Sequence, residues 1–378
     1  RSVYPFDYAQ TEENNSILQV GRNITRIKQL VGEFLNLTTS GRSFFLYIGF
    51  HDPHRCGHTH PQFGSFCEKF GNGEPEMGRI PDWTPRYYDP EKVVVPYFIP
   101  NTSEARRDIA AQYTSVNRMD QGIQLILEEF QKRKLLNNTL IIYTSDNGIP
   151  FPSGRTNLYD PGMKEPMIVV DPKGRQNLRV NQLVSLLDIT PTVLDWFKVP
   201  YPKYKIFKHF HQIKLTGQSL LAFTRRKWHS RVRNPAKYVY SSHSLHEITM
   251  YYPIRGVRSE SYKLLHNLNY RMPFPIDQDF YLSPTYQDLL NRTVHHLPNK
   301  CYYYRPEFEL YNIRKDPQEL KNLAQESAHG EIFRRLRRKL QCWRNFTDDP
   351  WICSPHFVLE NEGAYLHAPQ CMPLYNED

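Results

Sequence analysis

Apolar residues recur at helical spacing at Ile17, Val20, Ile24, Ile27, Val31 and Phe34, and the run Phe44 to Phe50 that follows reads as a buried strand. A second amphipathic pattern starts at Ser103, a good N-cap, and continues through Ile109, Tyr113, Val116, Ile123, Leu127 and Phe130. Asp120 falls on its apolar seam and calls for a partner. The helix leads into a β-rich run from Thr139 that ends at Asp146-Asn147-Gly148. Met167 to Val170 reads as another short strand, and Thr190-Pro191 reads as cap and first turn of a helix through Val193, Leu194 and Trp196. Alternating helices and strands predict an α/β sheet with helices on both faces. Beyond about residue 199 the chain turns Pro- and aromatic-rich. Strand-like runs at Tyr238 to Tyr240 and Tyr262 to Leu265 look antiparallel, and a late helix is marked by Ile332, Phe333, Leu336 and Leu340. Two domains are expected, an α/β unit over 1–226 and a smaller α+β unit over 227–378.

Composition narrows the class. With 378 residues, 39% of them hydrophobic, the chain can bury a sizeable core. No window is apolar enough to span a membrane, so no membrane partner is expected. The chain begins at Arg1 rather than Met, with neither a signal peptide nor a start residue, and a fragment of a longer protein is expected. Asn-x-Ser/Thr sequons occur at Asn14, Asn23, Asn36, Asn101, Asn137, Asn291 and Asn345; with six cysteines and no Cys-x-x-Cys they suit a secretory-pathway glycoprotein. Cys56 and Cys67 are close enough for a loop disulfide, as are Cys353 and Cys371, while Cys301 and Cys342 either pair or stay free. With all 15 histidines protonated the formal charge of +9 would become +24, which favours a polyanionic substrate. The plainer reading is that clusters such as Lys132-Arg133-Lys134 and Arg334 to Lys339 are solvated helix faces. Zinc-finger spacing and aromatic-basic interleaving are both missing, so no nucleic-acid partner is expected.

Chemistry concentrates where strands end. Asp146 and Asn147 would place two hard oxygen ligands at the carboxyl end of a strand, although Asp-Asn-Gly is also a common turn. His51-Asp52-Pro53-His54-Arg55 follows the Phe44 run and would share that sheet edge if the strands are parallel. A histidine there can protonate a leaving group and an arginine can hold an oxyanion; the bland alternative is a capped turn with solvated histidines. A zinc site built from His51, His54, Cys56, His58 and His60 matches no standard ligand spacing. Beyond Asp146, the proline-bracketed loop from Ile149 to Tyr159 presents Arg155 as an anion contact.

Four stretches then carry a likeness: FHDPHRCGH from Phe50, SDNGIPFPSGRTNLYDPG from Ser145, VSLLDITPTVLDWF from Val184 and NLNYRMPFPIDQDFY from Asn267. Together they resemble the lysosomal sulfatase family over nearly the whole chain. The Asp-Asn-Gly and Asp-Ile-Thr-Pro-Thr pieces are general to the family, whereas HDPHR and PFPSGRTNLY narrow it to a branch acting on N-sulfated glucosamine and to bacterial relatives. The resemblance implies an alkaline-phosphatase-like α/β core with a mixed, mainly parallel sheet, plus a C-terminal α+β domain with an antiparallel sheet. It implies one Ca2+ held in part by Asp146 and Asn147, His54 at the sulfate or leaving group, Arg155 near the sulfate, and Asp52 and Arg55 shaping the sugar pocket. It further implies a formylglycine nucleophile, heparan sulfate as substrate, the lysosome as location and a homodimer at full length.

Departures from the family pattern matter as much. Its paired metal-binding aspartates and its Cys-x-Pro-Ser-Arg segment, the source of formylglycine, do not occur in these 378 residues. Cys353-Ser354-Pro355-His356-Phe357 imitates the second but has Phe in place of arginine, and Asp348-Asp349 imitates the first without ending an apolar strand. The chain as written is therefore expected to be inactive alone. Two other readings stay open: an O-sulfatase or phosphoesterase of the same superfamily, and a non-catalytic glycan-binding glycoprotein.

Overall fold

The computed structural model describes residues 6–11, 19–38, 42–56, 63–201, 216–225, 237–246, 250–293 and 304–373. In chain order its longer helices are α1 (Ile24–Leu37), α2 (Ser103–Lys132), α3 (Ile189–Phe197), α4 (Pro284–Thr293) and α5 (Gly330–Phe346). Its strands are β1 (Ile141–Thr144), β2 (Met167–Val170), β3 (Val239–His246), β4 (Met250–Arg258), β5 (Tyr262–Asn267), β6 (Phe308–Asn312), β7 (Phe357–Glu360) and β8 (Gln370–Pro373). Contacts separate two compact units. One joins residues 1–139 to 150–152 and 278–296; the other holds 140–149, 153–277 and 297–378. The boundary expected at residue 226 thus falls inside the second unit, because α4 returns to pack on α2 in the first.

In the first unit α1 starts where the Asn23 side chain accepts from Arg26 N, and it crosses α2 closely at Gly122. A Cβ at Gly122 would come within 2.6 Å of Ile24 Cγ2 and 3.0 Å of the Phe50 ring, so only glycine admits this crossing. The core there gathers Ile27, Val31 and Leu35 of α1 with Ile126 and Phe130 of α2. Phe44, Leu46, Ile48 and Phe50 pack against it, while the alternate residues Phe45, Tyr47 and Gly49 face outward. The period of two expected of a strand is therefore present, but the segment is a correction to the expected buried strand. Among the described residues nothing forms a ladder with it, and the exposure of every second residue shows that only one face is covered.

Helix α2 also departs from its expected phase. Its cap is Thr102, whose side chain accepts from Ala105 N, one residue before Ser103. Val116 and Leu127 are each 37% exposed, whereas Asp108, Gln112, Ser115 and Arg118 are buried. Inward-facing charges pull the buried stripe away from the apolar one, and Asp120 lies exposed and needs no buried partner.

In the second unit β1 pairs with β2 antiparallel, Ile141 opposite Val170 and Thr144 opposite Met167. All pairings among the described strands are antiparallel, in place of the mainly parallel sheet expected. A parallel β1–β2 pair would need a crossover helix, and the link between them contains a single helical turn at Asp160–Met163. The meander β3-β4-β5-β6 forms the expected antiparallel sheet of the C-terminal part, with β4 and β5 at its centre. Val257, Leu264 and Leu310 from its strands pack with Leu336 and Leu340 of α5. Helix α3 begins two residues earlier than Thr190-Pro191 suggests, after a 3-10 turn whose capping box joins Ser185 and Asp188. Both expected disulfides form, Cys56–Cys67 and Cys353–Cys371. Cys342 is an exposed free thiol on α5, and Cys301 lies outside the described residues.

Candidate functional site

The candidate residues fall in both units, and each group is described within its own. In the second unit β1 runs out at Thr144 and the chain turns sharply. Ser145 Oγ donates to Asn147 O at 3.0 Å, and Asn147 N donates to Asp146 Oδ1 at 3.0 Å. A Cβ at Gly148 would lie 1.9 Å from Pro161 O, so glycine lets this turn press against the loop before β2. Asp146 is exposed and Asn147 half-buried, leaving carboxylate and amide oxygens at the surface of the turn.

Glu165, in the link to β2, adds a third acid. Burial pushes its carboxyl up to about 7, and the nearby charge of Asp146 pushes the same way. Its buried Oε1 has no hydrogen-bond partner. Two carboxylates that repel each other, one with an orphaned oxygen, fit a hard cation. Among the described residues no three His, Cys, Asp or Glu side chains converge into a complete metal site. Asp146, Asn147 and Glu165 are thus compatible with part of a calcium site.

Arg155 belongs to the same unit, in a loop closed by its own N–H to Ile149 O at 3.0 Å. Ser153 and Thr156, which flank it, have φ of 65° and 71°, a strained choice for residues other than glycine. The guanidinium is 5% exposed, and its Nη2 donates to both oxygens of Asp277 at 3.1 and 2.9 Å. His246 Nε2 approaches Asp277 at 3.4 Å. A loop that strains its backbone to hold an ion-paired arginine is built for position rather than for reach.

In the first unit the HDPHR segment divides by role. Asp52 is 3% exposed and lies between two guanidinium groups. Arg22 Nη1 donates to it at 2.6 Å, and Arg118 Nε and Nη2 do so at 2.7 and 2.9 Å. Arg55 is equally buried: Nη1 and Nη2 pair with Asp108 at 2.9 and 2.8 Å, Nε donates to Pro150 O, and its Cζ stands 4.4 and 4.7 Å from the Phe66 and Phe151 ring centres. These bonds engage both carboxylate oxygens and all three guanidinium nitrogens, so Asp52 and Arg55, expected at the sugar pocket, are held rigidly in buried ion pairs.

His54 behaves differently. Its side chain is 54% exposed, its Nδ1 lies 2.9 Å from Arg55 O, and its Nε2 is 3.7 Å from Asp279 Oδ2. The zinc alternative loses Cys56 to its disulfide, and His58 and His60 lie outside the described residues. The two imitations at the C-terminal end are structural as well. Cys353 is in a disulfide, and buried Asp349 bridges Arg255 and Arg344. Of the sequons, Asn14 lies outside the described residues, Asn23 is the half-buried cap of α1, and Asn36, Asn101, Asn137, Asn291 and Asn345 are exposed.

Three acids escaped the sequence reading: Asp277, Asp279 and Glu165. Asp277-Gln278-Asp279 lay within a recognisable stretch, and a pair of acids inside an otherwise apolar run was the available signal. Glu165 had none, since a single glutamate before a proline looks like any loop residue.

The comparisons with known proteins agree with one another. The Sulfatase family model matches residues 6–199, and the model "N-sulphoglucosamine sulphohydrolase, C-terminal" matches 154–276. The chain is 55% identical to human N-sulphoglucosamine sulphohydrolase over 100% of its own length and 74% of that protein's. It is 27% identical to an ulvan-active sulfatase of Formosa agariphila, over 77% of this chain and 46% of that one. In fold it resembles a Bacteroides thetaiotaomicron chain described as a sulfatase, at TM-score 0.55 and 19% identity, covering 93% of this chain and 68% of that one.

Proposed function

We propose that this chain, which belongs to the sulfatase family, acts on sulfamates: it contributes to removing the N-linked sulfate of glucosamine in heparan sulfate. The observation that carries this reading is the identity to the human sulphohydrolase along the whole chain, together with the C-terminal model named for the same activity. Of the two family models, the C-terminal one, described as that of an N-sulphoglucosamine sulphohydrolase, favours N-sulfate over O-sulfate as the group removed.

Within this reading Asp146 and Asn147, with Glu165 beside them, hold part of a Ca2+ site. Bound calcium would supply positive charge against the sulfuryl oxygens. Arg155, locked by Asp277, offers a fixed donor to the sulfate group. His54 is exposed enough to give a proton from Nε2 to the leaving nitrogen, because Nδ1 is committed to a carbonyl. The nucleophile of this family is a formylglycine, and its parent Cys-x-Pro-Ser-Arg segment does not occur in these residues. Exposed sequons, two disulfides and the lysosomal character of the resembled family support a glycoprotein of the secretory pathway destined for the lysosome. The same resemblance supports a homodimer.

The test is sulfate release in the presence of Ca2+ from N-sulfated and from O-sulfated glucosamine. A polypeptide joining these 378 residues to a Cys-x-Pro-Ser-Arg segment should release sulfate from the N-sulfated sugar, and the 378 residues alone from neither. Release from the O-sulfated sugar only would replace sulfamidase with O-sulfatase. Turnover by the 378 residues alone would show that the nucleophile has been misidentified.

A further inference from the structure

We propose that Asp279 is a positioning residue for His54, one that keeps the ring aimed to protonate the leaving nitrogen; this rests on the sulfamidase reading above. The His54 ring has an acceptor at each nitrogen, the Arg55 carbonyl 2.9 Å from Nδ1 and the Asp279 carboxylate 3.7 Å from Nε2. A carbonyl beside Nδ1 and a carboxylate beside Nε2 fix which way the ring faces, since each attracts an N–H edge of the imidazole. Asp279 is well placed to keep this geometry. It lies in the helical turn Gln278–Tyr281, its side chain is 15% exposed, and the next residue, Phe280, is fully buried and anchors the turn. His54 is anchored from the other side, because Asp52 and Arg55 on either side of it are fixed in buried ion pairs. Two rigid supports thus present one exposed imidazole between them.

The step it would assist balances simply. As the S–N bond breaks, its electron pair stays on nitrogen and the sulfuryl group passes to the nucleophile. The Nε2 proton of His54 moves to that nitrogen, and the ring is left neutral. The leaving group is then the neutral amine R–NH2, which takes a further proton from solvent after release, and the carboxylate alongside holds the ring in line while the Nε2 proton is given. A leaving group that is stable as an anion needs no such proton and gains less from the same arrangement.

The experiment compares leaving groups in a preparation that turns over N-sulfoglucosamine, using Asp279→Asn and Asp279→Glu. General acid catalysis is worth about a hundredfold or more, so Asp279→Asn should lower kcat on N-sulfoglucosamine by about tenfold or more with KM within about twofold. On 4-nitrophenyl sulfate, whose phenolate leaves without a proton, the same variant should stay within about threefold of wild type, and Asp279→Glu should recover most of the lost sulfamate rate. Equal losses on both substrates, as from a misfolded variant or a purely structural role, would overturn the proposal, and so would an unchanged rate on N-sulfoglucosamine. If the wild type cleaves only an O-sulfated sugar, the sulfamidase reading fails by itself, and Asp279 is judged by the same comparison of that sugar with 4-nitrophenyl sulfate.

Discussion

Asp52 and His54 stand two residues apart in one short segment, and their environments give them opposite tasks. Asp52 has both oxygens in bonds to buried guanidinium groups, so it acts on the fold. Removing its charge leaves Arg22 and Arg118 buried against a neutral group. Breaking such a pair costs about 3–5 kcal/mol, far more than an exposed ion pair contributes. Asp52→Asn should therefore lower the unfolding free energy by about that amount in urea titration, while any folded fraction keeps its KM for sulfated sugar. A raised KM at unchanged stability would place Asp52 in the sugar pocket instead. The segment's residue types were legible in the sequence, but their division of labour was not. Asp, His and Arg all suit catalysis equally well, and what separates them is the partner each meets from Arg22, Asp108 and Arg118, dozens of residues away.

Among the elements, the local ones were the most legible. The expected helices at α1, α2 and α5 form because three or four apolar residues per two turns specify a face without reference to anything distant. β4 and β6 were not read at all: Gly256 and Arg255 interrupt one, Glu309 the other, and only burial of those residues in the second unit makes the runs coherent strands. β5 carries a consequence of such burial. His266 is 8% exposed, and burial, with the charges of Arg344 and Arg337, pushes its imidazole down to about 3. Glu307 Oε1 lies 3.3 Å from Nε2 and pulls the other way, but Nε2 makes no hydrogen bond, so desolvation prevails. Between pH 6.5 and about 3 the unfolded chain binds a proton there that the folded chain does not, so stability falls as pH falls. The slope from this group is about 1.4 kcal/mol per pH unit below 6.5. His266→Gln should flatten that limb of the stability profile in denaturant titrations between pH 7 and 5. An unchanged limb would show that Glu307 holds the proton on His266 after all.

For the molecule as a whole, charge is the property that composition gives directly and that the fold redistributes. The formal charge is +9, yet Arg22, Arg55, Arg118, Arg155, Arg255 and Arg344 are buried opposite carboxylates and present little field to a ligand. Free positive charge concentrates elsewhere, notably on α5, where Arg334, Arg335, Arg337, Arg338 and Lys339 are all exposed. This confirms the plain reading of that run as a solvated helix face, and a solvated face is also where a polyanion meets counterion-releasing cations. Acidification adds to it incompletely. Burial keeps His243 below its ordinary range and His266 near 3, so His266 stays neutral at pH 5 and the charge remains short of the +24 that full protonation would give. The chain should therefore leave a heparin column at higher salt at pH 5 than at pH 7, and Arg334→Glu with Arg338→Glu should lower the eluting salt at both pH values. Because neither arginine contributes to the core of α5, which rests on Leu336 and Leu340, the paired variant should melt with the wild type. Retention that is indifferent to both pH and these two reversals would mean that binding is dominated by a different face, and the column profile of variants at Lys132 and Lys134 on the first unit would then find it.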